Sequence, residues 1–172
     1  MKTILSALFV LALARCQSDQ TVPSQNSPTT ASFPTLLAPL PPPDDSLVLA
    51  GIYQLQQQVA VERSVGALQL LDSIYCQSDG YLSEGISEAA AAIWAQQSML
   101  TLCYLEQHPK ACLRQAVVLG ISADISTEEN RVQALANFRQ TALDSGRRAG
   151  LSGREMLFLQ QFISEVNPAL LD

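Results

Sequence analysis

The sequence predicts an all-α fold: a single bundle of four to five helices behind a disordered N-terminal tether rich in Pro, Ser and Gln. Three observations carry that prediction. From residue 44 onward, apolar residues recur at spacings of three and four, as on helices with one buried face. No alternating run of the kind a half-buried strand needs interrupts them. Polar, glycine and proline punctuation at residues 77–80, 108–109, 120, 146 and 167–168 cuts the chain into pieces of ordinary helix length. The 172 residues therefore divide into a signal peptide at 1–15, a tether at 16–43 and a helical domain at 44–172.

Lys2 supplies a positive start, and residues 4–13 form an apolar run broken only by Ser6. That is the length of a signal h-region and too short to span a bilayer. Two cleavage readings stay open. Ala12 and Ala14 form a small-x-small site ahead of Arg15, while Leu13, Ala14, Arg15 and Cys16 approximate a lipobox whose cysteine receives a lipid. Arg15 counts against lipidation, because a lipobox carries a small residue before its cysteine. The tether counts for it. Directly after Cys16 comes a Gln-, Ser-, Thr- and Pro-rich stretch closing on Pro41, Pro42 and Pro43, which suits neither helix nor central strand. Such a stretch holds a domain clear of lipid headgroups. The expected location is the periplasm or outer membrane with Cys16 lipidated, or the medium without the anchor.

In the folded part, Asp44, Asp45 and Ser46 start a helix whose stripe is Val48, Ile52, Leu55 and Val59. A second, offset stripe through Val61, Val65, Leu68, Leu71 and Tyr75 predicts a bend near Ala60. The polar turn at 77–80 leads to a helix over 83–107, with an alanine run at 89–92 and Ile86, Ala90, Ile93 and Leu100 on one face. His108 and Pro109 end it, Pro109 opens a short helix reaching Leu119, and Gly120 closes that helix. Ser126 with Glu129 reads as a capping box ahead of Val132, Leu135, Phe138 and Ala142, with Gly146 as the C-terminal cap. Ser152 with Glu155 reads as a second capping box, Leu151 with Met156 as a hydrophobic staple, and Asn167 with Pro168 as the final stop. The last stripe, Met156, Leu159, Ile163 and Val166, is expected to pack on the face from Ile86 to Leu100.

Without residues 1–15 the chain keeps eight bases against sixteen acids, a formal net charge of −8, which excludes nucleic acid as a partner. The charge is uneven: residues 16–108 hold nine acids and only Arg63, whereas 109–172 hold seven acids and seven bases. Cysteines at 16, 76, 103 and 112 in an exported chain predict disulfide chemistry, with parity set by the fate of Cys16. Cys76 ends one helix and Cys103 lies near the far end of the next, so antiparallel packing puts them about 25 Å apart, too far to bridge. The turn at His108 and Pro109 brings Cys112 back beside Cys103, and a Cys103–Cys112 bridge is the expected pair.

No catalytic constellation, metal site or cofactor is expected. The single imidazole, His108, reads as a helix-end residue whose ring meets exposed carbonyls. Cys103, His108 and Cys112 have zinc-ligand atom types but no familiar finger spacing. Glu84 with Glu88 suits the opening of a helix, and Glu128 with Glu129 a capped N-terminus. Arg147 and Arg148, flanked by glycines, complement a helix C-terminus, since no strand precedes them to make a phosphate loop. Trp94 reads as core.

At Gly66, Leu68, Cys76, Ser78, Asp79, Ile86, Ala89 and Ala90 the chain resembles the all-α pilotin lipoproteins of type II secretion. Arg15, the additional cysteine and the C-terminal helix lie outside that pattern. The resemblance implies a lipid-anchored domain that docks a short segment of an outer-membrane secretin in a groove between helices. It also implies a bridge from Cys76 to a later cysteine. The expected function is a cell-envelope binding or assembly-support module with a protein partner, reaching the membrane through Cys16 if that residue is lipidated. The alternative is a soluble secreted helical interaction protein without enzymatic activity.

Overall fold

A computed structural model describes residues 45–171, with side chains placed for 46–169. The expected signal peptide and tether, with Cys16, lie outside the described residues. Six α-helices and a closing 3-10 turn form the domain: α1 Asp45–Glu62, α2 Val65–Tyr75, α3 Gly80–Gln107, α4 Leu113–Ser126, α5 Arg131–Arg148, α6 Gly153–Glu165 and the turn Pro168–Leu171. No strand occurs among the described residues. The expected all-α bundle is therefore observed, with one helix more than the upper count because the first long segment divides.

That division falls at Arg63, a little beyond the expected bend. Arg63 takes a left-handed backbone (φ 56°), which turns the chain out of α1. Ser64 then caps α2, its hydroxyl accepting the Ala67 N–H at 3.2 Å. Ile52 and Val59 from α1 and Leu68 and Leu71 from α2 are fully buried as the spacing predicted, whereas Val61 and Val65, expected to begin the second stripe, flank the break and are exposed.

α3 is the spine, with α1, α2, α4 and α6 all packed against it. It is not straight. At Gln97 the backbone leaves helical geometry (φ −134°, ψ 44°), and the Gln97 side-chain amide donates to the Ala60 carbonyl at 2.8 Å. Ala60 lies in the last turn of α1, where carbonyls lose their intrahelical donors, so the kink of one helix supplies a donor at the end of another. Past the kink α3 runs beside α2, where the Tyr104 hydroxyl donates to Asp72 at 3.0 Å.

Two expected stops and one expected start fall elsewhere. Gly120 lies inside α4, buried against α3, and a Cβ there would collide with the Ser87 carbonyl and meet the Ala91 methyl at 3.0 Å. Its lack of a side chain lets the two backbones touch. Gly146 lies inside α5, where a Cβ would meet Leu159 at 2.8 Å and Met156 at 3.0 Å. The left-handed position that ends this hairpin's first helix is taken by Gly150 (φ 71°). Ser126 is the last residue of α4 rather than a cap, its hydroxyl donating back to Ala123, and α5 is capped by Asn130, which accepts from the Gln133 N–H at 3.0 Å. The second box is present as read: Glu155 donates its N–H to the Ser152 hydroxyl and accepts the Ser152 N–H at 2.7 Å. On α6, Phe162 packs on Trp94 of α3 with ring centroids 4.7 Å apart, while Met156 and Leu159 turn toward α5.

Candidate docking groove

The close α3–α4 contact through Gly120 and the α5–α6 contact through Gly146 together decide where space is left. α5 is held mainly by α6 and only sparsely by α4. A groove of about 310 Å³ remains between α3, α4 and α5. Trp94, Ile121 and Ile125 form its apolar floor, Phe138 and Ala142 of α5 its far wall, and Met99 sits beyond the α3 kink. Trp94 is 6% exposed and packs on the Phe162 ring, so the floor is anchored in the core. The expectation that Trp94 is a core residue holds, and the structure adds that one side of it faces the groove.

Asp124 stands at the lip. It also lines an adjoining hollow of about 240 Å³ on the other side of the α3–α4 seam, which includes Glu84 and Glu88. Burial and the Glu88 charge push the Asp124 carboxyl above the usual range. Asp124 also sits in the last turn of α4, where no basic residue offsets the negative helix end. Among the described residues, no Lys, Arg or His lines the groove or the hollow. Sequence reading linked Glu84 with Glu88 but missed Asp124, which lies 36 positions after Glu88 and joins them only because Gly120 lets α4 settle onto α3.

A second polar centre ties three helices at the opposite end of α4. The bridge here is Cys76–Cys112, with Cα atoms 5.4 Å apart, not the expected Cys103–Cys112 pair. The turn between α3 and α4 comes back to the end of α2 rather than closing on α3: Tyr104 of α3 and Leu113 of α4 both bond Asp72, four residues before Cys76. Cys103 is not a free thiol either. Beside the bridge, Asp72 accepts the Leu113 N–H, the first of α4, at 2.7 Å and the Tyr104 hydroxyl at 3.0 Å. Burial, reinforced by the Asp72 bond and charge, pushes the Tyr104 phenol far upward, so it stays protonated and donating. His108 stacks on Tyr104 at 4.4 Å, with Nδ1 2.9 Å from the Tyr104 carbonyl, which is the helix-end role expected of it.

Asp72, Cys76 and Cys112 offer ligand atoms within 4.8 Å of one another, but the two sulfurs are bonded together and both Asp72 oxygens already accept hydrogen bonds. That chemistry is structural, not metal-binding. Arg147 and Arg148 lie in the last turn of α5, Arg147 pairing with Asp144 at 2.6 Å, and Glu128 and Glu129 sit in the connection before α5. None of these four lines the groove. No described helix is long and apolar enough to cross a membrane. Compared with known proteins, the chain matches no family model, no curated protein and no solved structure.

Proposed function

We propose that this chain is a cell-envelope binding or assembly-support module that holds a helical segment of a secretion or envelope protein in the groove between α3, α4 and α5, without catalysing a reaction. The observation that carries this reading is the groove itself: a largely apolar channel with a core-anchored Trp94 floor and a far wall packed only sparsely on α4. At about 310 Å³ it sits at the small end of ligand pockets, which run from roughly 300 to 1,000 Å³. That room suits a few anchoring side chains of a helix laid along it. The Cys76–Cys112 bridge supports a pilotin-like role, since the resemblance implies a bond from Cys76 to a later cysteine.

In this reading the first 15 residues direct export and the residues after Cys16 are the tether; because Cys103 is not a free thiol, a lipid on Cys16 competes with a bridge from Cys16, and labelling separates the two. Metabolic labelling with radioactive palmitate tests the anchor: label on the wild type and none on Cys16→Ala is the expected result. An unlabelled protein recovered from the culture medium would instead favour the soluble secreted interaction protein. Docking is tested by placing a photo-crosslinking amino acid at Ala95, which is exposed and lines the groove. Crosslinks to one envelope protein, absent when the probe is moved to exposed Gln69 on α2, are expected. Equal crosslinking from both positions would overturn the groove as the binding face.

A further inference from the structure

Resting on that docking reading, we infer that the docked helix carries a Lys or Arg on the border of its apolar face, and that Asp124, with Glu88 and Glu84 behind it, receives that cation. The groove floor offers no polar anchor of its own, so register along it must be fixed at the rim. The rim is charged on one side only. Asp124 belongs both to the apolar groove and to the hollow containing Glu84 and Glu88, so three carboxylates lie along the α3–α4 seam. The negative end of the α4 dipole points the same way, since α4 ends at Ser126 with no basic residue in its last turn. The α5 wall supplies Phe138, Thr141, Ala142 and Ser145, all uncharged.

An occupant with a fatty carboxylate or a phosphate headgroup would place an anion against this rim, and an all-apolar helix would leave Asp124 partly desolvated without a partner. A helix with a cation at the border satisfies both surfaces. Its apolar residues take the Trp94 floor, and its ammonium or guanidinium reaches Asp124 as a charge-assisted pair. The pairing also sets direction, because the cation must lie at the α4 C-terminal side of the groove.

Selection from a displayed library of randomised peptides of about 16 residues, long enough to form a helix, tests this on the full chain without knowing the partner. Ala95→Phe serves as the groove-blocked control, since Ala95 is exposed at the groove and the larger ring occupies it without entering the core. The expected winners have apolar residues at three- and four-residue spacing with Lys or Arg at one fixed position beside them, and Ala95→Phe does not retain them. Replacing that basic residue by Glu should weaken binding about tenfold or more at low salt. The difference should shrink in Asp124→Asn and nearly vanish in Asp124→Asn with Glu88→Gln, both conservative changes at exposed positions. Apolar helical winners with no basic enrichment would overturn the charge inference and leave the docking reading standing. Winners bound equally by Ala95→Phe would overturn both.

Discussion

At the residue scale, two glycines carry more of the architecture than any polar group. In sequence Gly120 and Gly146 look like helix stops, because a glycine near the end of an apolar stripe most often takes a left-handed cap. Nothing local separates that role from the other reason for a helical glycine, the close approach of a second backbone. The structure assigns the second role to both, and the difference is physical: the deciding atoms are the Ser87 carbonyl and the Leu159 and Met156 side chains, remote in sequence. Gly120→Ala is therefore expected to destabilise the domain by about 3 kcal/mol, as overpacking against a rigid backbone does. It should also widen the α3–α4 seam. Gly146→Ala meets movable side-chain ends and should cost less, about 1 to 2 kcal/mol. Thermal or urea unfolding of the two variants checks the order, and an equal loss would remove the distinction between backbone and side-chain contact.

Asp124 gives a pH signature at the same scale. Its carboxyl is shifted upward by burial and by Glu88, so the folded chain holds that proton more tightly than the unfolded one. Stability then falls as the pH rises from the usual carboxylate range through the raised value, and the loss persists at neutral pH. Asp124→Asn should raise stability at neutral pH, and the gain should disappear in acid once the wild-type carboxyl is protonated in both states. Urea titrations of both proteins across that range measure the difference. A gain independent of pH would point to a packing effect rather than charge. A residue kept at a stability cost beside a groove is the pattern expected of a binding side chain.

Among the elements, local capping and burial patterns were more legible than the relations between helices. The second capping box, the His108 helix end and the four buried stripe residues of α1 and α2 follow from local chemistry, and each appears where the sequence placed it. The kink at Gln97 did not announce itself, since a glutamine in an alanine-rich helix has no breaking tendency of its own. It is stabilised from outside, by the bond to Ala60 and by the path α3 takes past the Arg63 break. What misplaced the disulfide was the return of the α3–α4 turn to the end of α2. Asp72 was unreadable for the same reason: its partners Leu113 and Tyr104 come from two other helices.

The 36-residue separation closed by Cys76–Cys112 implies about 4 kcal/mol of loop-entropy stabilisation. Cys76→Ser with Cys112→Ser should lower unfolding free energy by that order. Asp72→Asn should take away less, about 1 to 3 kcal/mol, by weakening the charge-assisted bonds to Leu113 and Tyr104. If the cysteine variant unfolds at the wild-type denaturant midpoint, the bridge is not constraining the start of α4. Arg63→Gly, by contrast, relieves a left-handed side-chain-bearing residue and is expected to stabilise by about 1 kcal/mol.

Over the whole molecule, burial is unevenly shared, and that bears on how a groove this small accepts a helix. α3 contributes eleven buried residues, while α5, at 18 residues, contributes only Ala142 and Gly146. Ala134, Leu135, Phe138 and Leu143 of α5 are only partly buried against the core, so α5 loses less apolar burial on opening than α3 would, and local opening costs follow buried contact rather than helix length. The α5 segment facing the groove should open more readily than α3 and α4, which Gly120 holds in backbone contact, and more readily than the bridged α2–α4 junction. Amide hydrogen exchange on the free protein is expected to show the amides from Gln133 to Thr141 exchanging at least tenfold faster than those of α3 around Trp94. Binding of a selected groove peptide should slow the α5 amides most, because the peptide supplies the apolar contact that α5 lacks. If α5 exchanges as slowly as α3 in the free protein, its wall is fixed, and the groove must then accept only side chains that fit its present width.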